Sequence, residues 1–279
     1  IHFLEQGSGP LLLCLHGFPD QAPSFRHQLD FFAAQGFRVV APYMRGYAPT
    51  DVPAGGPFQT AALAQDAIGL IEALGDGRAT VLGHDWGATA AYGAALFAPD
   101  RVERLITMSV PYGPGLGRAL LTDPQQQRRS WYMFFFQMPL AEPAVAHDDF
   151  AFLDRLWRDW SPGFVATPED RIALKDTFRR PGFLAAALGY YRHTFQPALQ
   201  APALAKLQAR LGNEPVRVPT LYLHGAQDGC IGPDVAGEMA ALFPAGLNRQ
   251  TLAGAGHFLH LEQPAAVNQA ILKFLRGGV

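Results

Sequence analysis

The stretch Gly83-His84-Asp85-Trp86-Gly87 sets a carboxylate between two glycines, where a strand pattern gives way to a helix of small residues. This is the G-x-Nu-x-G spacing of a nucleophile elbow, in which small neighbours permit the sharp turn that lifts the middle side chain into a site. A tight connection without chemistry is the bland alternative, and the strand-then-helix context weighs against it. The middle residue decides the reaction. A serine there needs a base before it attacks a carbonyl carbon. A carboxylate is already ionised at neutral pH, is a poor acyl-transfer nucleophile, and is suited to displacing a leaving group at saturated carbon. The product is an alkyl ester of the protein, which an activated water must then hydrolyse.

That second step needs a histidine base, an acid to orient it and donors for an oxyanion. His257 ends the glycine loop Ala253-Gly-Ala-Gly-His257 shortly before the last helix, and neighbouring His260 reads as structural. Asp228, in His224-Gly-Ala-Gln-Asp228, lies just beyond another strand, whereas Asp234 after Pro233 reads as a helix-end charge. The expected oxyanion donors are the backbone N–H groups of Trp86 and of Phe18, the latter in the loop His16-Gly17-Phe18-Pro19. His16 and His84 read as loop braces. Any one of these residues would pass for an ordinary polar group. Nucleophile, acid and histidine in that order, each at a strand's end, would not.

The elements that must position them alternate. Buried-strand patterns at Leu11 to His16, Phe37 to Ala41, Ala79 to Leu82 and Val102 to Ser109 are separated by helical patterns at Phe25 to Gln35, Thr60 to Leu74 and Ala88 to Phe97. Such a rhythm is a parallel sheet covered by helices, an α/β fold. It stops at Pro111. From 111 to 213 the pattern is helical and rich in aromatics, among them Trp131, Phe136, Trp157 and Trp160. It then resumes with strands at Pro219 to Leu223 and Arg249 to Leu252 and helices at Pro233 to Phe243 and Pro264 to Leu275. The division expected is one core, 1–110 and 214–279, with 111–213 inserted as a helical lid over the sheet's C-terminal edge, where such sheets bind ligands.

Composition excludes several other classes. Of 279 residues 49% are hydrophobic and 16% charged, with net charge −2, against a usual charged share of about 25%. This argues against disorder and against a nucleic-acid surface. Apolar runs fall well short of the ~18 residues of a membrane span. Cys14 and Cys230 make no disulfide framework, and Cys230, although close to Asp228, reads as a buried inert thiol. The expectation is a cytoplasmic protein, monomer or homodimer, with a short N-terminal piece preceding Ile1, which starts inside a strand-like stretch.

Taken together, His-Gly-Phe-Pro at 16–19, Arg-Gly-Tyr at 45–47, the elbow at 83–87, Ala-Leu-Phe-Ala-Pro-Asp-Arg-Val at 95–102 and Gly-His-Phe at 256–258 are similar to soluble epoxide hydrolases. The sequence resembles the epoxide hydrolase and haloalkane dehalogenase group of α/β-hydrolases over essentially its whole length, least in the lid. The resemblance implies an α/β-hydrolase fold with an inserted α-helical cap, Asp85 as nucleophile, the His257–Asp228 pair as base, and neither cofactor nor metal. It implies a small apolar epoxide as substrate, lined by Phe18, Trp86, Tyr132 and Phe136.

Epoxide and halide substrates differ at the leaving group. A halide needs N–H donors, whereas an epoxide oxygen departs as a strong base and needs an acidic O–H. Dehalogenases of this group typically carry Asn after the early His-Gly, where this chain has Phe18, and no carboxylate-binding Arg is evident beside Asp85. Epoxide hydrolases carry two lid tyrosines. Tyr191, in Gly189-Tyr190-Tyr191-Arg192, matches one, with Tyr190 reading as lid core. At the other, by resemblance, Phe136 stands where a tyrosine is expected, and Tyr132 lies one turn back on the same helical face. The rivals are a haloalkane or haloacid dehalogenase with the same nucleophile, a carboxylesterase, disfavoured by Asp85, and a non-catalytic receptor, disfavoured by a complete triad.

Overall fold

The apolar run Leu11–Leu15 is buried at all five positions in the computed structural model, which describes residues 1–75 and 77–277. Alternate residues serve opposite faces, as a pleated strand requires. Leu11, Leu13 and Leu15 belong to one apolar cluster and Leu12 and Cys14 to another. The run is β2 of seven strands, with β1 (Phe3–Gln6), β3 (Arg38–Pro42), β4 (Ala79–His84), β5 (Val102–Met108), β6 (Thr220–Gly225) and β7 (Leu247–Leu252). Their order is β1-β3-β2-β4-β5-β6-β7. β1 runs antiparallel to β3, and every other pairing is parallel. The central strands β2, β4 and β6 are buried throughout, whereas edge strand β7 alternates between half-buried and exposed. The fold is that of an α/β-hydrolase, as the sequence led us to expect.

Helices cover both faces. α1 (Arg26–Ala34) supplies Leu29 and Phe32 to the Leu12 cluster, on the face later covered also by the C-terminal helix. α2 (Thr60–Ala73) and α3 (Trp86–Phe97) pack on the other, through Ala64, Ala67, Ala90 and Ala94. Their approach is close. A Cβ on Gly93 would stand 2.6 Å from that of Ala64, which explains the small residues after the elbow.

Between β5 and β6 the described residues form helices and no strand: α4 (Gly115–Thr122), α5 (Pro124–Arg129), α6 (Trp131–Phe135), α7 (Ala141–Trp160), α8 (Pro168–Arg179), α9 (Phe183–Phe195) and α10 (Ala205–Gln208). α7 is broken midway, where Asp148, Asp149 and Phe150 take positive φ. The chain closes with α11 (Leu259–Glu262) and α12 (Pro264–Leu275), the latter placing Val267, Ile271 and Phe274 against the Leu12 face.

One expected element is different. Pro233 to Phe243 is not an α-helix but two 3-10 turns, Pro233–Ala236 and Met239–Leu242. Gly237 interrupts the stretch, and only Ala236 and Met239 of the turn residues are buried, so no apolar stripe stabilises a continuous helix. No helix among the described residues is long and apolar enough to cross a membrane.

Candidate active site

The elbow turns on Asp85, whose φ of 52° and ψ of −121° lie outside the regions a side chain ordinarily takes. Two glycines make this possible. A Cβ on Gly83 would meet the Gly87 carbonyl oxygen at 2.2 Å, and one on Gly87 would meet that of Leu15 at 1.9 Å. Asp85 is the residue at the start of α3, where the helix dipole favours a negative charge, but its carboxylate makes no capping hydrogen bond to the helix.

Both oxygens are engaged. Phe18 donates its N–H to Asp85 Oδ1 at 2.7 Å. The Trp86 amide faces the same gap, since a methyl group on Gly17 would come within 2.2 Å of Oδ1 and 2.6 Å of Trp86 N. Asp85 Oδ2 lies 3.5 Å from His257 Nε2. Behind the ring, His257 Nδ1 lies 2.9 Å from Asp228 Oδ2, and Asp228 Oδ1 accepts the N–H groups of Cys230 and Ile231 at 2.7 and 2.9 Å. The sequence-selected Asp85, His257 and Asp228 thus form one line at the C-terminal edge of the sheet.

Burial alone would discharge the His257 ring and protonate Asp228, and their pairing reverses both. For His257 the neighbouring Cys230 and Asp228, the hydrogen bond to Asp228 and the nearby Asp85 carboxylate outweigh burial and raise the pKa well above the ordinary histidine value. For Asp228 the two histidines on it outweigh burial and hold its pKa below the usual carboxylate range. The two shifts run in the direction that favours a charged pair, His257 up and Asp228 down.

Above Asp85 stands a cavity of about 350 Å³ lined by Asp85, Trp86, Leu116, Met133, Tyr191 and Ile231 among others. The Tyr191 hydroxyl and Trp86 Nε1–H are buried without a hydrogen-bond partner. The expected wall residues Phe18, Tyr132 and Phe136 are not among those lining this cavity. They stand around Tyr191, with ring centroids 5.5, 5.6 and 5.0 Å from it. Phe136 contributes packing and Tyr132 a hydroxyl, which lies 3.2 Å from Cys230 Sγ. Tyr190 turns away, donating its O–H to the Arg45 carbonyl.

The other histidines brace loops. His16 Nε2 accepts the Met44 N–H at 3.0 Å, and His84 Nε2 donates to the His257 carbonyl, 2.9 Å away. His260 is buried on Phe25, and burial pushes its pKa down to about 3. Asp234 is exposed in a 3-10 turn. Two buried triples bring possible metal-donor atoms within 4.8 Å of one another, Asp20–His84–His260 and Asp228–Cys230–His257, the second containing the acid–base pair itself.

Cys230 is buried, as its sequence context led us to expect, and its thiol lies 3.2 Å from the Tyr132 hydroxyl and close to the His257–Asp228 pair. One tie escaped the sequence reading. The carbonyl of Trp160, at the end of α7, accepts N–H groups from both Gly229 and His257 at 3.0 Å. It ties α7 to the two loops carrying Asp228 and His257, and a backbone carbonyl leaves no mark in a sequence.

This fold and site define an α/β-hydrolase: residues 10–264 match the family model of the alpha/beta hydrolase fold, and the chain belongs to that family. It is 32% identical over 270 residues to the AB hydrolase superfamily protein YfhM of Bacillus subtilis, covering 96% of this chain and 91% of that protein. It is likewise 32% identical over 285 residues to Epoxide hydrolase 4 of Homo sapiens, covering 99% and 75%. The crystal structure of a Bacillus megaterium epoxide hydrolase in complex with an inhibitor is similar with a TM-score of 0.84 at 29% identity, covering 99% of this chain and 96% of that one. Within its family the protein is an epoxide-hydrolase-like hydrolase.

Proposed function

We propose that the protein opens a small apolar epoxide to a vicinal diol through an ester on Asp85. The observation that carries this reading is the division of the Asp85 carboxylate, with Oδ1 held by an N–H and Oδ2 3.5 Å from His257, in a residue that lines the cavity. Asp85 Oδ2 attacks an epoxide carbon as the C–O bond breaks. The departing oxygen takes a proton from Tyr191, whose hydroxyl is buried, unpartnered and on the cavity wall. Tyr132, 5.6 Å from Tyr191 ring to ring, brings a second hydroxyl into the neighbourhood, and on this reading it takes the part that Phe136, which has no O–H, does not.

Ester formation removes the Asp85 charge, one of the supports that raise the His257 pKa. His257 then gives up its proton, which through solvent restores the Tyr191 hydroxyl, and the neutral ring takes a proton from a water that attacks the Asp85 carboxyl carbon. The tetrahedral oxyanion forms at Oδ1, against the N–H groups of Phe18 and Trp86. When the intermediate collapses, the bond from that carbon to the alkyl-bearing Oδ2 breaks and the diol oxygen leaves with the proton from His257. Asp228 holds the imidazole in place and offsets its charge. In this reading the helices of 111–213 act as a cap, contributing Tyr132 and Tyr191 from above, and the low charge and aromatic wall suit an apolar substrate. The cycle uses side chains and water.

A single turnover in heavy-oxygen water tests the mechanism. Solvent oxygen is expected in Asp85, and the first diol to leave is expected to carry the unlabelled oxygen of the original carboxylate. Label entering the diol directly would remove the ester from the scheme. Bromide release from bromoalkanes without any epoxide turnover would move the assignment to the dehalogenase chemistry.

A further inference from the structure

Asp228 Oδ2 is approached by two histidines, His257 Nδ1 at 2.9 Å and His224 Nε2 at 3.2 Å. His224 Nε2 also lies 2.9 Å from the Ile231 carbonyl oxygen. A carboxylate and a carbonyl are acceptors only, so Nε2 carries the ring hydrogen and Nδ1 presents a lone pair. The Tyr222 hydroxyl, which closes on Nδ1, is therefore the donor of that hydrogen bond. Tyr222, His224 and Asp228 are each 1% exposed, so water does not compete for these groups.

His224 Nε2–H, bonded to the Ile231 carbonyl, also lies 3.2 Å from the oxygen that pairs with His257 Nδ1, so its partial positive charge competes for that oxygen, and each donor in a buried chain polarises the next. Tyr222 strengthens the pull of His224 by donating to its far nitrogen. The stronger that pull, the less of the Asp228 charge is left to stabilise a proton on His257.

We propose that His224, backed by Tyr222, is a positioning residue for the hydrolytic step: by sharing Asp228 Oδ2 it fixes the carboxylate and moderates how firmly His257 holds its proton. This rests on the reading of His257 as base. The other titratable groups around His257 are Asp85, Cys230 and His84, whose ring is 4.9 Å away, with His260 behind His84. None of these is a hydrogen-bond partner of His224.

The test follows the decay of the alkyl-enzyme across pH after a single turnover, in the full chain and in His224→Leu, His224→Gln and Tyr222→Phe. In His224→Leu the acid-side inflection of ester hydrolysis is expected to move upward by roughly half a pH unit or more, a change of about threefold in proton affinity. His224→Gln, which keeps an N–H near the Nε2 position, stays close to the parent. Tyr222→Phe moves the same way by less, and the rate of ester formation does not follow either shift. An inflection unchanged in the Leu and Phe variants overturns the proposal, whatever stability they lose. Should His224→Leu fail to fold, Tyr222→Phe decides, since it removes a single oxygen. If the parent itself forms no alkyl-Asp85 by mass spectrometry, the base reading falls and this proposal with it. An alkyl-enzyme with an unshifted profile removes His224 alone.

Discussion

Phe18 holds Asp85 Oδ1 at 2.7 Å through its backbone N–H, while Gly17, one residue earlier, leaves no room for even a methyl group beside that oxygen. On the proposed mechanism the resting carboxylate is thereby sorted into one oxygen that stays and one that attacks. Gly17→Ala sets a methyl into this gap, against backbone and carboxylate rather than a yielding side-chain tip. We expect a loss of epoxide turnover of at least about 100-fold, the scale of one lost oxyanion donor. Diol formation under kcat conditions measures it, and activity within tenfold of the parent would contradict the division of roles.

Removal of the base separates the two half-reactions. His257→Gln should still form the ester, releasing no more than one equivalent of product per site, and the alkylated Asp85 should persist for peptide mass spectrometry. Asp85→Asn should neither alkylate nor turn over, losing about 10⁴-fold or more. Steady turnover in His257→Gln would rule out its role as base.

The two hydroxyls near the cavity should act together. Burial raises the pKa of Tyr132 and of Tyr191 well above the ordinary phenol value, so both remain protonated donors throughout the neutral range. Tyr191→Phe and Tyr132→Phe are each expected to slow ester formation by about 10- to 100-fold, and the double variant by about 1,000-fold, the range of general-acid catalysis. Burst rates on an aryl epoxide read this directly. A Tyr132→Phe enzyme as fast as the parent would leave Tyr191 as the lone donor.

Much of this was legible in the chain, and the pattern of success follows the range of the interactions. The elbow is local: Gly83, Asp85 and Gly87 declare it by spacing, because the turn's sterics involve only those neighbours and β2. The strands were readable because Leu11–Leu15 and Ala79–His84 are buried on both faces. The contact of Tyr132 with Cys230 spans 98 positions, and no periodicity reports which helix of an insertion comes down on which loop. Pro233 to Phe243 failed for a different reason. Its composition suits a helix, but Gly237 and the lack of a packed stripe leave only 3-10 turns.

A further expectation concerns stability. Asp20 Oδ2 is buried without a hydrogen-bond partner, 3.9 Å from His84 Nδ1, and burial raises the Asp20 pKa to about 6. Because the folded state holds this proton more tightly than the unfolded chain, the penalty is absent below the ordinary carboxylate value and complete once pH passes the folded value. It amounts to up to about 3 kcal/mol. His84 Nε2 donates to the His257 carbonyl, so its Nδ1 offers a lone pair toward Asp20. Asp20→Asn removes the charge and supplies an N–H on that side. Its melting temperature should exceed the parent's near pH 7.5, with the gap closing as pH falls toward about 4. Equal melting at both values would refute the account.

Joining β5 to its parallel neighbour β6 needs only a crossover of about a dozen residues. Here the connection runs from Ser109 to Pro219, so most of it is surplus to closing the sheet. The strand ladders beneath Asp85, Asp228 and His257 contain no residue of 111–213. On the proposed function, a change of substrate would therefore ask most of that stretch and least of the sheet. The anchorages are the exception. The Trp160 carbonyl joins the loops of Asp228 and His257, Gln126 holds Cys230 and Gly232 and Ser161 holds Phe258 and Glu262, so any graft into this region has to keep those ties.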